Sequence, residues 1–398
     1  MAISSPALAF YGRRTAYDPG SAPMTHTRTT VDDVLDELRR RRAEFHEQRF
    51  VSADFVARLK EIGVYRAATP RRFGGDPMRP ADFLRLVERI STVDGSAGWV
   101  AAFGCQTTYL GSLPLESLEE IYADGPDVVF AGALYPVQEA RRTTDGFSVT
   151  GRWKFGSGCK AAEVLCVGIP GDDSTDGKPR GAVVRPADVT IVEDWDVIGM
   201  RATGSFDLVL DEVPVLERRT FIRGGAPTID EPIYRYPPIA YAAQALSVVS
   251  AGVARAALDF AEETGAGRVG ITAAPRLADR AYYRAGIAEA EAMLRSARAY
   301  FFEAADEAWD SVPDGAAVRD DLNAHLRLSA AHLARTSAEV VAKVVGLSGT
   351  APIFTGHPLQ ELLGDALVPQ SHAFLSPMMY DAAGAVLMGL PATVPAFR

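Results

Sequence analysis

Apolar residues along this chain change rhythm twice. Between Thr30 and Gly125 they recur every third or fourth position: Val51, Phe55, Leu59 and Ile62 form one row, and Phe83, Leu84, Val87 and Ile90 form another after Pro80. That spacing predicts amphipathic helices. Ser52 is placed to cap the first of these and Gly63 to end it, while Asp94-Gly95-Ser96-Ala97-Gly98-Trp99 opens a further apolar helix with a small-residue start. From Val128 to Ile222 the runs shorten: Val128 to Phe130, Phe147 to Phe155, Val164 to Ile169, Val183 to Val184, Val189 to Val192 and Leu208 to Val215, divided by turn clusters such as Asp172 to Gly177. These predict strands of an antiparallel barrel or sandwich. Beyond Pro237 the helical rhythm returns in Leu246, Val249, Val253, Ala257 and Phe260. It continues through the Ala-rich segments 276–305 and 317–345 to a last helix after His357-Pro358. The predicted order is a flexible extension over 1–29, a helical domain over 30–125, a β-domain over 126–228 and a helical bundle over 229–398, with no internal repeat.

Composition narrows the partners. The chain has 398 residues, 47% of them apolar, and a formal net charge of −10. The acidity argues against a nucleic-acid partner, and the basic run Arg39 to Arg42 reads as a solvated helix face. Cys105, Cys159 and Cys166 make no metal-ligand or disulfide pattern, which fits a reducing cytoplasm. No run of about 18 consecutive apolar residues calls for a membrane span. Residues 1–23 lack a secretory core, and Met24 is the more conventional start.

The most informative string is Gly151-Arg152-Trp153-Lys154-Phe155-Gly156-Ser157-Gly158. Strand alternation would put Trp153 and Phe155 on one face, directly before a turn in which Gly156 and Gly158 let a ligand approach and Ser157 offers a donor and an acceptor. Such a surface suits the edge of an isoalloxazine ring; it also suits a buried strand ending in an ordinary turn.

Several strings together resemble the acyl-CoA dehydrogenase fold, from about Val31 to Pro391. They are Leu59 to Tyr65, Pro70 to Gly75, Asp94 to Trp99, Trp153 to Gly158, Gly199 to Asp207, and Pro358-Leu359-Gln360 leading to Asp365-Ala366. The resemblance implies an N-terminal helical domain, a central antiparallel β-domain and a C-terminal four-helix bundle. In most acyl-CoA dehydrogenases a carboxylate shortly after the Asp-Ala pair abstracts the substrate's α-proton. Here Asp365 to Phe374 holds no further Asp or Glu, and His372 stands next to the expected place. That stretch looks like the two-component flavin-dependent monooxygenases related to the oxygenase of 4-hydroxyphenylacetate hydroxylase.

This branch implies reduced flavin (FMNH2 or FADH2) delivered by a separate NAD(P)H:flavin reductase, reaction with O2 to a C4a-hydroperoxide, and hydroxylation of an aromatic or polycyclic small molecule. By resemblance, Ser157 lies near the flavin's reactive edge, with Trp153, Phe155, Gly156 and Gly158 around it. His372 lies over the ring, where an imidazole titrating near neutrality can manage a proton. Arg201, Thr203 and Ser205 resemble a loop that closes on the flavin, or form a turn between strands. Arg268 resembles a phosphate-binding arginine or is a loop charge. Gly349 and Thr350 contact the phosphate end or only permit a turn. Trp99 and Phe103, one turn apart, wall the substrate pocket with Gln106 and Tyr109, or equally belong to the core. Two departures matter. The histidine often found soon after the Gly-Trp string is absent from Gly104 to Tyr109, and Glu361 and Gly364 stand where arginines beside Asp365 are usual. The first keeps open an N-oxygenase acting on a nucleotide-linked amino sugar. A dehydrogenase with its base displaced to Glu262 or Glu263, and a silent binding subunit, stay open as well. The resemblance further implies a homotetramer, with Ala382 to Val386 allowing close helix approach.

Overall fold

The computed structural model describes residues 29–267, 276–312, 315, 317–394 and 397. Five helices come first: α1 (Val31–Gln48), α2 (Ala53–Glu61), α3 (Pro80–Val93), α4 (Gly95–Ala102) and α5 (Leu115–Ile121), with a 3-10 segment over Phe103–Ser112. The strands are β1 (Phe130–Ala133), β2 (Ala140–Arg142), β3 (Gly146–Gly156), β4 (Val164–Ile169), β5 (Arg180–Val184), β6 (Thr190–Val192), β7 (Phe206–Leu216) and β8 (Thr220–Ile222). Then follow α6 (Pro232–Arg235), α7 (Pro238–Gly267), α8 (Ala281–Asp310), α9 (Asp320–Leu347), α10 (Pro358–Ser371) and α11 (Met378–Leu387). The expected extension lies outside the described residues apart from Thr29.

Two four-stranded sheets, ordered β1-β4-β5-β8 and β2-β3-β7-β6, face each other. Phe147, Val149 and Trp153 of β3 and Leu208, Leu210 and Val215 of β7 meet Leu165, Val167 and Ile169 of β4 between them. The sequence suggests an antiparallel barrel or sandwich; the sandwich differs from it at one pair, β1 and β4, which run parallel with Phe130 opposite Val164. The chain leaves β1, forms β2 and β3 in the other sheet, and re-enters beside β1 in its original direction. A crossover of that length is what a parallel pair requires.

In the helical layers α9 packs against α7 and α8, α10 crosses α7 and α9, and α3 and α4 rest on α7. Among the described residues α7 is the one helix long and apolar enough to cross a bilayer, and 89% of its most apolar stretch is buried. Capping follows the sequence in part. Gly63 takes φ +85° after α2, and the Asp94 carboxylate accepts from the Ala97 N–H at 2.8 Å to start α4. Ser52, expected to cap α2, makes no capping bond; its hydroxyl accepts instead from Arg41 at 3.1 Å. The basic run is also corrected. Arg39 and Arg41 pair with carboxylates at the surface, but Arg42 turns inward to Asp94 and Glu361 at 3.1 and 2.8 Å.

Candidate active site

Four segments converge: the turn after β3, the loop over 199–205, α4, and the C-terminal end of α10. The β3 turn is built by a register shift against β7 between Trp153 and Gly156, with Phe155 at φ +67°. The irregularity rotates the chain and overturns the expected alternation. Trp153 is fully buried in the sandwich, its Nε1 donating to Gly168 O at 2.9 Å, whereas Phe155 is 62% exposed and lies edge-on to Trp195. Trp153 therefore has no surface to offer a cofactor. A side chain on Gly156 would sit 2.9 Å from Phe206 O, and Gly158, at φ +74°, donates its N–H to Thr203 O at 2.9 Å. The turn is thereby tied to the loop.

That tie aligns a chain of buried hydroxyls. Trp99 Nε1 donates to Ser157 Oγ at 3.3 Å, Ser157 and Ser205 hydroxyls share a bond of 2.7 Å, as do Ser205 and Thr203, and Thr203 Oγ1 donates to Met200 O at 3.0 Å. One end can only donate and the other only accept, so the direction is fixed: indole to Ser157 to Ser205 to Thr203 to carbonyl. Every hydroxyl proton is used within the chain. Ser157 has an acceptor lone pair left, and no donor.

His372 is the C-cap of α10. Its Nδ1 accepts from the Phe374 N–H at 3.2 Å, which leaves Nε2 to carry the proton of the neutral ring. Its ring lies 6.1 Å from that of Trp99 and 5.0 Å from that of Phe374. Burial, with the positive fields of Arg223 and Arg327, pushes its pKa down to about 4. The expectation of an imidazole titrating near neutrality is thus corrected: His372 is a neutral N–H donor. Behind it, Arg223 and Arg327 both lie near the Phe374 ring, at 5.0 and 5.4 Å from its centroid.

Of the expected pocket wall, Phe103 and Tyr109 are buried and Gln106 half-buried; Tyr109 stacks on Phe221 at 6.4 Å, and its hydroxyl has no hydrogen-bond partner. Arg201 is exposed on the loop. Gly349 and Thr350 lie exposed in the turn after α9, ahead of the N-terminal end of α10. The 14 residues of α10 put that end about 20 Å from His372, so within one chain the two do not meet. Arg268 lies outside the described residues. Glu262 and Glu263 are exposed near the far end of α7, Glu262 paired with Arg255 at 3.2 Å. Two surface clefts of about 570 and 450 Å³, one along Arg142 to Gly146 and the other along Thr29 to Val31 and Glu61 to Met78, share no residue with this site.

A second buried cluster joins residues that the sequence does not pair. Asp94 Oδ2 accepts from His46 Nε2 at 2.7 Å and from Arg42 Nε at 3.1 Å, and Asp365 Oδ1 accepts from the Met200 N–H at 2.5 Å. Burial opposes charge on Asp94 and on His46. Their mutual bond and charges outweigh it, with Arg42 also favouring the ionised Asp94, so Asp94 titrates below its ordinary value and His46 above. Burial and the Asp94 charge push Asp365 up to about 6. Gly364 is explained as well: a side chain there would stand 2.4 Å from Ile198 O, and one on Gly199 would stand 2.0 Å from Gly364 O. Backbone-to-backbone contact replaces an arginine at that junction, and Arg42 of α1 supplies the cation.

These residues fit a flavin by the chemistry of the donor set. Ser157 offers an acceptor lone pair and His372 an N–H, among aromatic walls, to a planar heterocycle that carries both N–H and carbonyl groups. The helix–sandwich–helix order with this donor set defines an oxidoreductase of the acyl-CoA dehydrogenase fold, and residues 244–377 match the family model "Acyl-CoA dehydrogenase, C-terminal domain". The chain is 46% identical over 360 residues to an indole-3-acetate monooxygenase of Pseudomonas putida, covering 90% of this chain and 92% of that one. It is 27% identical over 378 residues to the flavin-dependent monooxygenase oxygenase subunit HsaA of Rhodococcus jostii, covering 91% and 98%. The crystal structure of the 3-HSA hydroxylase from Rhodococcus sp. RHA1 superimposes with a TM-score of 0.85 at 25% identity, covering 92% and 97%. The chain belongs to the flavin-dependent monooxygenases built on the acyl-CoA dehydrogenase fold.

Proposed function

We propose that this enzyme oxygenates an indole-bearing arylacetic acid, indole-3-acetate first among them. It acts as the oxygenase component of a two-component system, with reduced flavin supplied by a separate NAD(P)H:flavin reductase. The observation that carries this reading is the 46% identity, over nearly the whole of both chains, to an enzyme named for indole-3-acetate. Reduced flavin, when bound, supplies the electrons that activate O2 for transfer of one oxygen atom. The chain's own residues do the rest. Ser157, held by Ser205 and Thr203, accepts a hydrogen bond from the cofactor side. His372 Nε2–H donates toward the reacting oxygen or the substrate. Trp99 and Phe103 exclude water, which otherwise diverts reduced flavin and O2 to H2O2. A homotetramer working in the cytoplasm completes the proposal.

The test is turnover of indole-3-acetate by the purified chain with a flavin reductase, NADH and either FMN or FAD under ¹⁸O2. Product heavier by one ¹⁸O atom is expected. NADH consumed with stoichiometric H2O2 and intact indole-3-acetate rejects this substrate.

A further inference from the structure

Arg223 follows β8 and is half-buried, with Gly224 next to it at φ +79°. Its guanidinium carbon lies 5.2 Å from the Tyr135 ring centroid and 5.0 Å from that of Phe374. Among the described residues it makes neither ion pair nor hydrogen bond, so its five N–H donors are unspent. Other partly buried arginines behave differently: Arg42, Arg66, Arg180 and Arg298 each hold a carboxylate. Aromatic faces steady a cation, but they leave its planar fork available for a bidentate acceptor.

Two further observations point to the same place. The buried Tyr109 hydroxyl has no hydrogen-bond partner and lies within the electrostatic reach of Arg223 and Arg327. A buried, unpaired hydroxyl beside cations is a donor waiting for an anionic acceptor. The corner also adjoins the reaction site: Phe374 lies 5.0 Å from the Arg223 guanidinium and 5.0 Å from the His372 ring, so the two are at most about 10 Å apart. That is the scale of an indole with a short acid side chain.

We propose that Arg223, assisted by the Tyr109 hydroxyl, anchors the carboxylate of an aromatic acid whose ring packs against the contiguous row of Phe374, His372 and Trp99. The inference rests on the arylacetic-acid reading above and names the residue that enforces it. A carboxylate here takes up the guanidinium's in-plane donors, relieves the like charge of Arg327 and satisfies Tyr109. An uncharged analogue does none of these, so the enzyme discriminates acid from amide. No proton or bond changes hands at the anchor.

The experiment compares wild type, Arg223→Met and Arg223→Lys, each verified by an unchanged thermal transition. It measures equilibrium binding of indole-3-acetate and of indole-3-acetamide by calorimetry, together with anaerobic binding of reduced flavin. Arg223→Met is expected to weaken the acid at least about 30-fold while sparing the amide and the flavin, and Arg223→Lys to recover part of the loss. Equal losses for acid and amide, no loss for either, or a loss confined to reduced flavin each overturn the anchor. The two proposals fail separately. Acid binding that depends on Arg223 without ¹⁸O incorporation upholds the anchor and sinks the substrate assignment. Incorporation with undiminished acid affinity in Arg223→Met does the reverse. If Arg223→Met does not fold, Arg223→Lys with an unchanged acid-to-amide ratio is enough to overturn the anchor.

Discussion

Two buried polar clusters share the same pair of helices and solve opposite problems. Along α4, Asp94 and Trp99 are five residues apart, about 8 Å; along α10, Asp365 and His372 are seven apart, about 10 Å. At the Asp94 end the side chains are ionisable, and their charges are answered by one another, Arg42 and His46 by Asp94 and Arg42 again by Glu361. The exception is Asp365, whose carboxyl has, among the described residues, only the Met200 N–H and is pushed toward its neutral form. At the Ser157 end the groups are hydroxyls, an indole and an imidazole that burial keeps neutral. The first cluster fixes where α1, α4, α10 and the 199–205 loop meet. The second uses that geometry. A frame can be ionic because its charges have partners inside the protein, whereas a site that must exclude water and admit a ligand does better neutral.

The sharpest break of that contrast is Asp94→Ala. It strands Arg42 and His46 and removes the cap of α4, so a loss of about 3–5 kcal/mol is expected in urea unfolding. A loss below about 1 kcal/mol would show that the cluster is not the frame. Asp365→Asn should act the other way. The folded carboxyl titrates at about 6 against an ordinary 3.8, so its contribution is fully present below pH 3.8 and is lost as pH rises through about 6. His46, raised, likewise contributes below its unfolded value and loses that contribution with rising pH; Asp94, lowered, loses its contribution as pH falls. Asp365→Asn should therefore be more stable than wild type at pH 8 by about 3 kcal/mol and equal to it near pH 3.5. A difference independent of pH would rule out the raised Asp365.

At the neutral cluster the expected effects fall on coupling. His372→Ala should cut product formed per NADH about tenfold or more, with H2O2 rising in its place, while His372→Gln, which keeps an N–H donor, should retain more. Because His372 sits near pKa 4, the rate of product formation should show no ionisation of this residue between pH 6 and 8. A limb near pH 6.5 that disappears in His372→Gln would mean that the imidazole titrates during turnover.

The contrast also sorts what was legible. Helix and strand order, the 94–99 start of α4 and the Ser157 turn could be read because period and turn chemistry are local signals. Asp365 and His372 were placed by resemblance. What the sequence hid was relational. One extra residue at Phe155 sends Trp153 and Phe155 to opposite sides, and no periodicity announces it. Arg42 looks like its solvated neighbours until α4 and α10 are brought up to it. Arg223, at a strand end among glycines, carries no local mark at all; only the aromatic rings of Tyr135 and Phe374, from distant segments, give it meaning.

The subtlest test addresses the direction of the hydroxyl chain. In the folded protein Ser157 gives its proton to Ser205 and so presents an acceptor. An acceptor favours a ring N–H, which reduced flavin carries at the position where oxidised flavin has only a lone pair. Ser205→Ala removes the sink for that proton and frees Ser157 to donate. Oxidised flavin should then gain on reduced flavin by about 1 kcal/mol, a few-fold in the ratio of their dissociation constants. Fluorescence titration with oxidised flavin and anaerobic titration with reduced flavin measure the two sides independently of turnover. An unchanged ratio would mean that the fixed polarity of the chain plays no part in choosing the redox state, and that the neutral cluster selects by shape alone.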